Sequence, residues 1–255
     1  MQNIFTLRDN RTTVVRLLAI VLLTSGVASA HRDDYINETF VYRTVGRHTA
    51  EVEYWLDRID NLQELDDGIA IPRHRDFLRH SFALEYGITD HFMIDGLAAT
   101  DNQMGSYGFG RLRLESRYRF GEERTHGISP AVSLEYEDDR RENRRTLTPR
   151  LVLNRDFKEF NTTLNVLREI ELQGPQGNGW GYTAGVRYGE EKHRLRFGAE
   201  VQHTFKRHVE GAVIPQMWIK LTDKATVKVG YGQRITYAGQ SFFRAVLEWE
   251  FGGKE

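Results

Sequence analysis

A period of two runs through most of this chain, and it limits the fold more than any other feature. Over residues 108–120, Leu112, Leu114, Ser116, Tyr118 and Phe120 share one parity, and Arg111, Arg113, Glu115, Arg117 and Arg119 share the other. Over 241–251, Phe243, Ala245, Leu247, Trp249 and Phe251 oppose Arg244, Glu248 and Glu250. Residues 193–205 set Leu195, Phe197, Ala199 and Val201 against Arg194, Arg196, Glu200 and Gln202. A helix, with its period of 3.6, would scramble these sets, so the segments read as strands with one apolar and one charged face.

Twelve such segments follow one another, at about 48–58, 77–87, 91–101, 108–120, 127–137, 145–155, 159–171, 180–189, 193–205, 211–221, 225–236 and 241–251. Turn signals separate them. Tight connections (Gly87-Ile88-Thr89-Asp90, Gly189-Glu190-Glu191-Lys192, Thr222-Asp223-Lys224) alternate with longer polar ones (59–76, 101–107, 138–144, 173–178). Short turns on one rim and long loops on the other are the arrangement of outer-membrane barrels, with both termini in the periplasm. The expected fold is therefore an all-β, antiparallel, up-and-down transmembrane barrel of about twelve strands over residues 48–255. Residues 31–47 hold a strand-like stretch at 38–46, which would be an odd thirteenth strand; a periplasmic lead-in or partial strand is expected there.

The first thirty residues read as a signal peptide. Arg8, Arg11 and Arg16 precede the apolar run Leu17–Val27, and Ala28-Ser29-Ala30 offers small residues for cleavage after Ala30. That run is shorter than the ~18 residues of a spanning helix. The chain has no cysteine, which excludes a lipoprotein anchor, disulfides and thiolate metal sites. No cofactor or metal site is expected. The formal net charge is −1 although 28% of residues are charged, so composition gives no ground for a nucleic-acid partner.

Alternation alone does not say which face is inside. A soluble periplasmic ligand-binding barrel would put the apolar row in its core, and this remains an alternative. Three features favour lipid outside. Aromatics of the apolar row gather toward strand ends: Tyr86, Phe92, Tyr118, Phe120, Tyr188, Trp249 and Phe251 at the short-turn rim, and Tyr54, Tyr136, Trp180, Tyr182, Tyr231 and Phe243 at the other. Aliphatic residues lie between them, as a bilayer selects. The charged row carries Arg and Glu that could pair inside, and the segments have the ~9–11 residues a tilted strand needs to cross the hydrocarbon core.

The hairpin Leu84-Glu85-Tyr86-Gly87-Ile88-Thr89-Asp90-His91-Phe92 resembles the strand, Y-G-[IL]-T-D, strand pattern of an outer-membrane family named after the meta-cleavage pathway of phenol degradation and associated with transport. The resemblance implies an outer-membrane transporter barrel. The motif itself carries no chemistry; it is a turn in which Gly and Asp are expected to supply unusual backbone angles. The last strand, with Phe243, Leu247, Trp249 and Phe251, resembles the signal read by the barrel-assembly machinery, although Gly252-Gly253-Lys254-Glu255 follow where that signal usually ends. Outer-membrane lipid and that machinery are thus the expected partners.

With charges inward, the candidate functional residues are those of the lumen. Glu51, Glu53 and Asp57 of the first strand neighbour Glu248 and Glu250 of the last on closure, giving an acidic wall relieved only by Arg244. Arg111, Arg113, Arg117 and Arg119, with Arg187, Arg194 and Arg196, give basic walls elsewhere. Such a lumen would pass small polar or zwitterionic solutes; equally, the same charges could pair and close it. His80 and His203 on the lipid face leave open an outer-membrane lipid hydrolase, but no matching His/Ser/Asn constellation accompanies them. The run Asp138–Arg145 reads as a solvated loop.

Overall fold

The computed structural model describes residues 34–252 except 38, 61–62, 67–68, 73–75, 103–104, 122–126, 175–176, 206–208 and 236–240. The expected signal peptide and its cleavage at Ala30 lie outside the described residues.

Twelve strands close into an antiparallel barrel. They are β1 (Ala50–Asp60), β4 (Phe77–Gly87), β5 (Phe92–Asp101), β6 (Gly108–Arg119), β7 (Ser129–Asp139), β8 (Arg144–Phe157), β9 (Phe160–Gln173), β10 (Gly179–Tyr188), β11 (Leu195–Phe205), β12 (Val209–Thr222), β13 (Ala225–Arg234) and β14 (Ser241–Phe251). Each pairs with its neighbours in sequence, and β1 closes the ring against β14 with Ala50 opposite Phe251 and Asp60 opposite Ser241. Between β1 and β4 a separate hairpin, β2 (Gln63–Asp66) and β3 (Ile69–Pro72), stands in the longest connection, an element the period-two reading left as loop.

The parity of the sequence is the parity of the barrel. Leu84, Ile94, Leu114, Leu134, Leu151, Leu164, Val186 and Leu247 are exposed on the outside, with Tyr86, Tyr118, Phe120, Phe160 and Tyr188 below them and Phe82, Trp180, Tyr182 and Phe243 above. An aliphatic belt between two aromatic girdles is stable in lipid and would aggregate in water. The soluble barrel required the opposite arrangement.

The tight turns have local causes. In the 88–91 turn the Thr89 hydroxyl accepts hydrogen bonds from the backbone N–H groups of His91 and Phe92, at 3.1 and 3.0 Å. Lys158 takes a left-handed φ of 51° to reverse the chain between β8 and β9. Gly87 does not supply the unusual backbone angle expected of it; no left-handed φ occurs there. Its role is clearance. A Cβ at Gly87 would collide with the carbonyl oxygens of Val45 and Gly46, which cross the strand end at this point.

That crossing segment is the main departure from expectation. Residues 34–46 form neither a periplasmic lead-in nor a strand. They leave the short-turn rim, where His48 N–H bonds to Gly87 O at 2.8 Å, and fold into the barrel. Tyr35, Ile36, Phe40, Val41, Tyr42 and Val45 are all buried there. Their alternation resembles a strand's because successive side chains meet opposite walls of a narrow tube.

Candidate functional site

The lumen is built by the inward row of the strands and filled by residues 34–46, called the plug below. The register aligns one row of carboxylates around nearly half the ring. Glu250 stands opposite Glu51, Glu51 opposite Glu85, Glu85 opposite Asp95, Asp95 opposite Glu115, and Glu115 opposite Glu135. Like charges directly opposite destabilise a sheet, so cations have to reach this row. Arg113 bonds Asp95 at 2.8 Å, Arg117 bonds Glu115 at 2.9 Å, and Lys228 forms an ion pair with Glu248 one row away.

The charges expected in the lumen lie as follows. Glu51, Glu53, Asp57, Glu248 and Glu250 are buried on β1 and β14. Arg113, Arg117, Arg187, Arg196 and Arg244 are buried as well. Arg111 is half-buried and bonds Glu137 at 3.3 Å. Arg119 lies at the short-turn rim, where it donates to Asp90 O at 2.6 Å. Arg194 is exposed and precedes β11. Arg113 and Arg117 flank Glu115 on β6, one row to either side of the carboxylates rather than across the lumen from them, so acidic and basic residues interleave there. Arg187 and Arg196 lie on the far side, each with its guanidinium 5.5–5.9 Å from the Trp218 ring.

Wall side chains take up the plug's backbone groups in turn. On the β9–β12 side, Gln216 accepts from Ile36 N–H at 2.7 Å. The two oxygens of Glu200 accept from Asn37 N–H at 2.8 Å and Thr39 N–H at 3.1 Å. The Asn165 amide accepts from Phe40 N–H at 2.7 Å and donates to Phe40 O at 2.9 Å. On the other side, Lys228 donates to Asp34 O at 2.7 Å, Arg244 to Ile36 O at 3.2 Å, and Arg117 to Val41 O and Arg43 O at 3.1 and 3.3 Å. Buried backbone groups need such partners, and here side chains supply what a ladder would. Arg117 also forks onto the Asp34 carboxylate at 3.0 and 2.9 Å, and Arg244 holds Asp57 at 2.5 and 2.9 Å.

Apolar seats complete the fit. Tyr35 meets Trp218 edge to face at 5.5 Å, and Ile36 clusters with Trp55, Leu97, Ile214 and Val246. The Phe40 ring packs with Ala131 and Val152, with the guanidinium carbons of Arg117 and Arg150 4.2 and 3.8 Å from its centroid. Glycines on the inward row make room: a Cβ at Gly185 would stand 2.6 Å from the Tyr35 ring, and one at Gly230 2.9 Å from Ile36. The void left between the plug, Glu53 and Trp55 is only about 10 Å³, the space of one water at most. Among the described residues, Tyr35, Ile36 and Phe40 thus fill the tube on this side almost completely.

Below the plug a cavity of about 500 Å³ opens at the short-turn rim, lined among others by Arg43, Arg187, Arg196, Lys192, Lys220 and Glu191. Arg43 of the plug bridges to Glu191 at 3.0 Å. In the turns around this mouth, hydrogen bonds and charge from Lys192 and Lys220 hold the carboxyls of Glu190 and Asp223 below their ordinary range.

The period-two reading passed over the plug and its seats, yet the sequence carried a signal for the seats. Trp55, Leu97, Val152, Leu167 and Trp218 are large apolar residues on the inward parity, and all are buried. A water-filled lumen has no use for a buried tryptophan on its charged row. The outward histidines have ordinary surroundings: His80 Nδ1 lies 2.6 Å from the Tyr54 hydroxyl, and His203 stacks on Tyr182 with ring centroids 5.6 Å apart. Among the described residues, three carboxylates converge in one place, Glu51, Glu53 and Glu85, with oxygens within 4.8 Å of one another.

No protein-family model matches the sequence, and no curated protein does. Solved structures match the fold. An outer membrane channel of the COG4313 group from Pseudomonas putida F1 superposes with a TM-score of 0.60 at 10% identity, covering 82% of this chain and 97% of that one. The KdgM porin and the NanC porin each superpose with a TM-score of 0.58 at 9% identity, covering 78% of this chain and 98% of theirs. This chain shares the closed, antiparallel, twelve-stranded fold of those outer-membrane barrels.

Proposed function

We propose that this protein is an outer-membrane channel for small polar or zwitterionic solutes, closed in the described state by its own residues 34–46 and conducting when they withdraw toward the short-turn rim. The observation that carries this reading is the pairing of a charged, hydrogen-bonding wall with a plug whose backbone groups at Asp34, Ile36, Asn37, Thr39, Phe40, Val41 and Arg43 are met by wall side chains. Beside its apolar seats such a stopper is bound by polar contacts that it exchanges for water when it leaves, so each contributes only a fraction of its strength in isolation. The resemblance of residues 84–92 to the phenol-degradation transporter family and the channel names of the superposed structures support the same reading. In this reading export removes residues 1–30, and the terminal strand, ending at Phe251, is the contact for the barrel-assembly machinery. The charge interleaving on β5 and β6 leaves ion pairs on the wall after the plug withdraws, which favours solutes carrying both signs over a strong preference for one.

Planar-bilayer recording tests the reading. The purified full chain is expected to be closed most of the time with brief discrete openings, and Gly185→Ala, which crowds Tyr35, is expected to raise the open fraction. If the wild type and a loosened variant that still migrates as a folded, heat-modifiable barrel both stay silent, the channel reading falls.

A further inference from the structure

The plug shows what the wall can bind, and this inference rests on the channel reading above. Three kinds of recognition converge on Asp34–Phe40. The first is for an amide: the single side chain of Asn165 both accepts from and donates to the backbone of Phe40, and the Thr163 hydroxyl adds a second donor to the same oxygen at 2.9 Å. That two-bond clamp reads the main chain and ignores which residue carries it. The second is for an aromatic ring: Phe40 lies against two guanidinium groups, a contact that gains strength where water is excluded. The third is for a carboxylate: Arg117 takes Asp34 with two parallel bonds, the geometry in which arginine best discriminates carboxylates.

Arg117 joins the last two. It touches the Asp34 carboxylate and the Phe40 ring at once, although the two residues are six apart in sequence. The three recognition points therefore fall within the span of a molecule much smaller than the plug. Every group that makes them belongs to the wall: Arg117 on β6, Arg150 on β8, and Thr163 and Asn165 on β9. They remain in the lumen after the plug has gone.

We infer that this wall site is the solute-binding site of the channel, that it takes short peptides carrying an aromatic side chain and a free carboxylate, and that the plug occupies it as an internal substitute. The polar bonds by themselves would also serve simple docking. Docking, however, needs only that backbone groups be satisfied; it does not need a carboxylate fork and a double cation–ring contact to share one arginine. Solutes of this class compete with the plug, so the site both selects them and opens for them.

The experiment records single channels of the full-length Gly185→Ala variant in planar bilayers while L-aspartyl-L-phenylalanine is added on the short-turn side. Glycylglycine and sodium acetate serve as controls. The dipeptide is expected to interrupt the open current in a concentration-dependent way, at concentrations at least about tenfold below either control, a difference of roughly one buried hydrogen bond. Adding Asn165→Ala, or Arg150→Gln where that variant folds better, is expected to raise the blocking concentration about tenfold while leaving block by acetate unchanged. If the variant conducts but the dipeptide blocks no better than glycylglycine, or blocks equally after both substitutions, the peptide site is overturned and the channel reading stands. If no folded variant conducts, both fall together.

Discussion

The two halves of the inner wall hold the plug by opposite means. On β9, β11 and β12 the wall offers mainly acceptors, and the N–H groups of Ile36, Asn37, Thr39 and Phe40 point to Asn165, Glu200 and Gln216. On β6, β13 and β14 it offers cations, and the carbonyls of Asp34, Ile36, Val41 and Arg43 turn toward Lys228, Arg244 and Arg117. Each of these cations also serves a wall carboxylate, Glu248, Asp57 or Glu115. On that half, plug and barrel draw on the same charges. On the other half the plug is held by the neutral amides of Asn165 and Gln216 together with the Glu200 carboxylate, and the amides can rebond to water at little cost. The difference predicts that the acidic half couples plug and barrel stability, while the amide half governs the plug alone.

The largest effect is expected from Arg117→Leu. The side chain is fully buried, and its loss leaves Glu115 and Asp34 without their shared cation, a cost of about 3–5 kcal/mol in barrel stability. The heat-modification temperature should drop and open current should appear together. A variant that opens with unchanged heat stability would break the comparison. Asn165→Ala comes next: it removes two bonds to Phe40 and should weaken plug docking by about 1–3 kcal/mol while the barrel keeps its heat stability. A large fall in heat stability would place both halves in one class. Gly185→Ala tests steric fit without touching charge. Its Cβ, 2.6 Å from the Tyr35 ring, should cost the closed state about 1–3 kcal/mol and raise the open fraction. The smallest effect belongs to Arg43→Gln, whose partly exposed bridge to Glu191 is worth less than about 1 kcal/mol, so its open fraction should shift only slightly and chiefly at low salt.

Much of the barrel was legible because the environment on its two faces differs so sharply. The ranges 77–87 and 241–251 are β4 and β14 to the residue, and the closing pair of β1 with β14 followed from an even strand count. The hairpin β2–β3 was not legible, since Gln63–Asp66 and Ile69–Pro72 are four residues each and a period needs more turns to show. The plug was misread for a different reason. Phe40 and Tyr42 alternate with Val41 and Arg43 as in a strand, and alternation records that successive side chains meet different surroundings, whatever supplies them. Large apolar residues on the inward parity, Trp55 and Trp218 above all, hinted that something apolar fills the tube. Which cation serves which carboxylate was beyond the sequence, because a shift of two residues in register would keep every side chain on its face and change every partner.

The plug has a consequence for the order in which the protein is made. Its wall bonds along Asp34–Arg43 join residues 74 to 208 positions apart, and Arg244, on the last strand, is among the partners. The plug therefore finds its complete seat only after the last strand has arrived. Contacts so distant along the chain form late. A newly inserted copy would pass through a stage in which the ring is complete and its stopper is not yet home, and a membrane receiving many copies at once would leak for as long as that stage lasts.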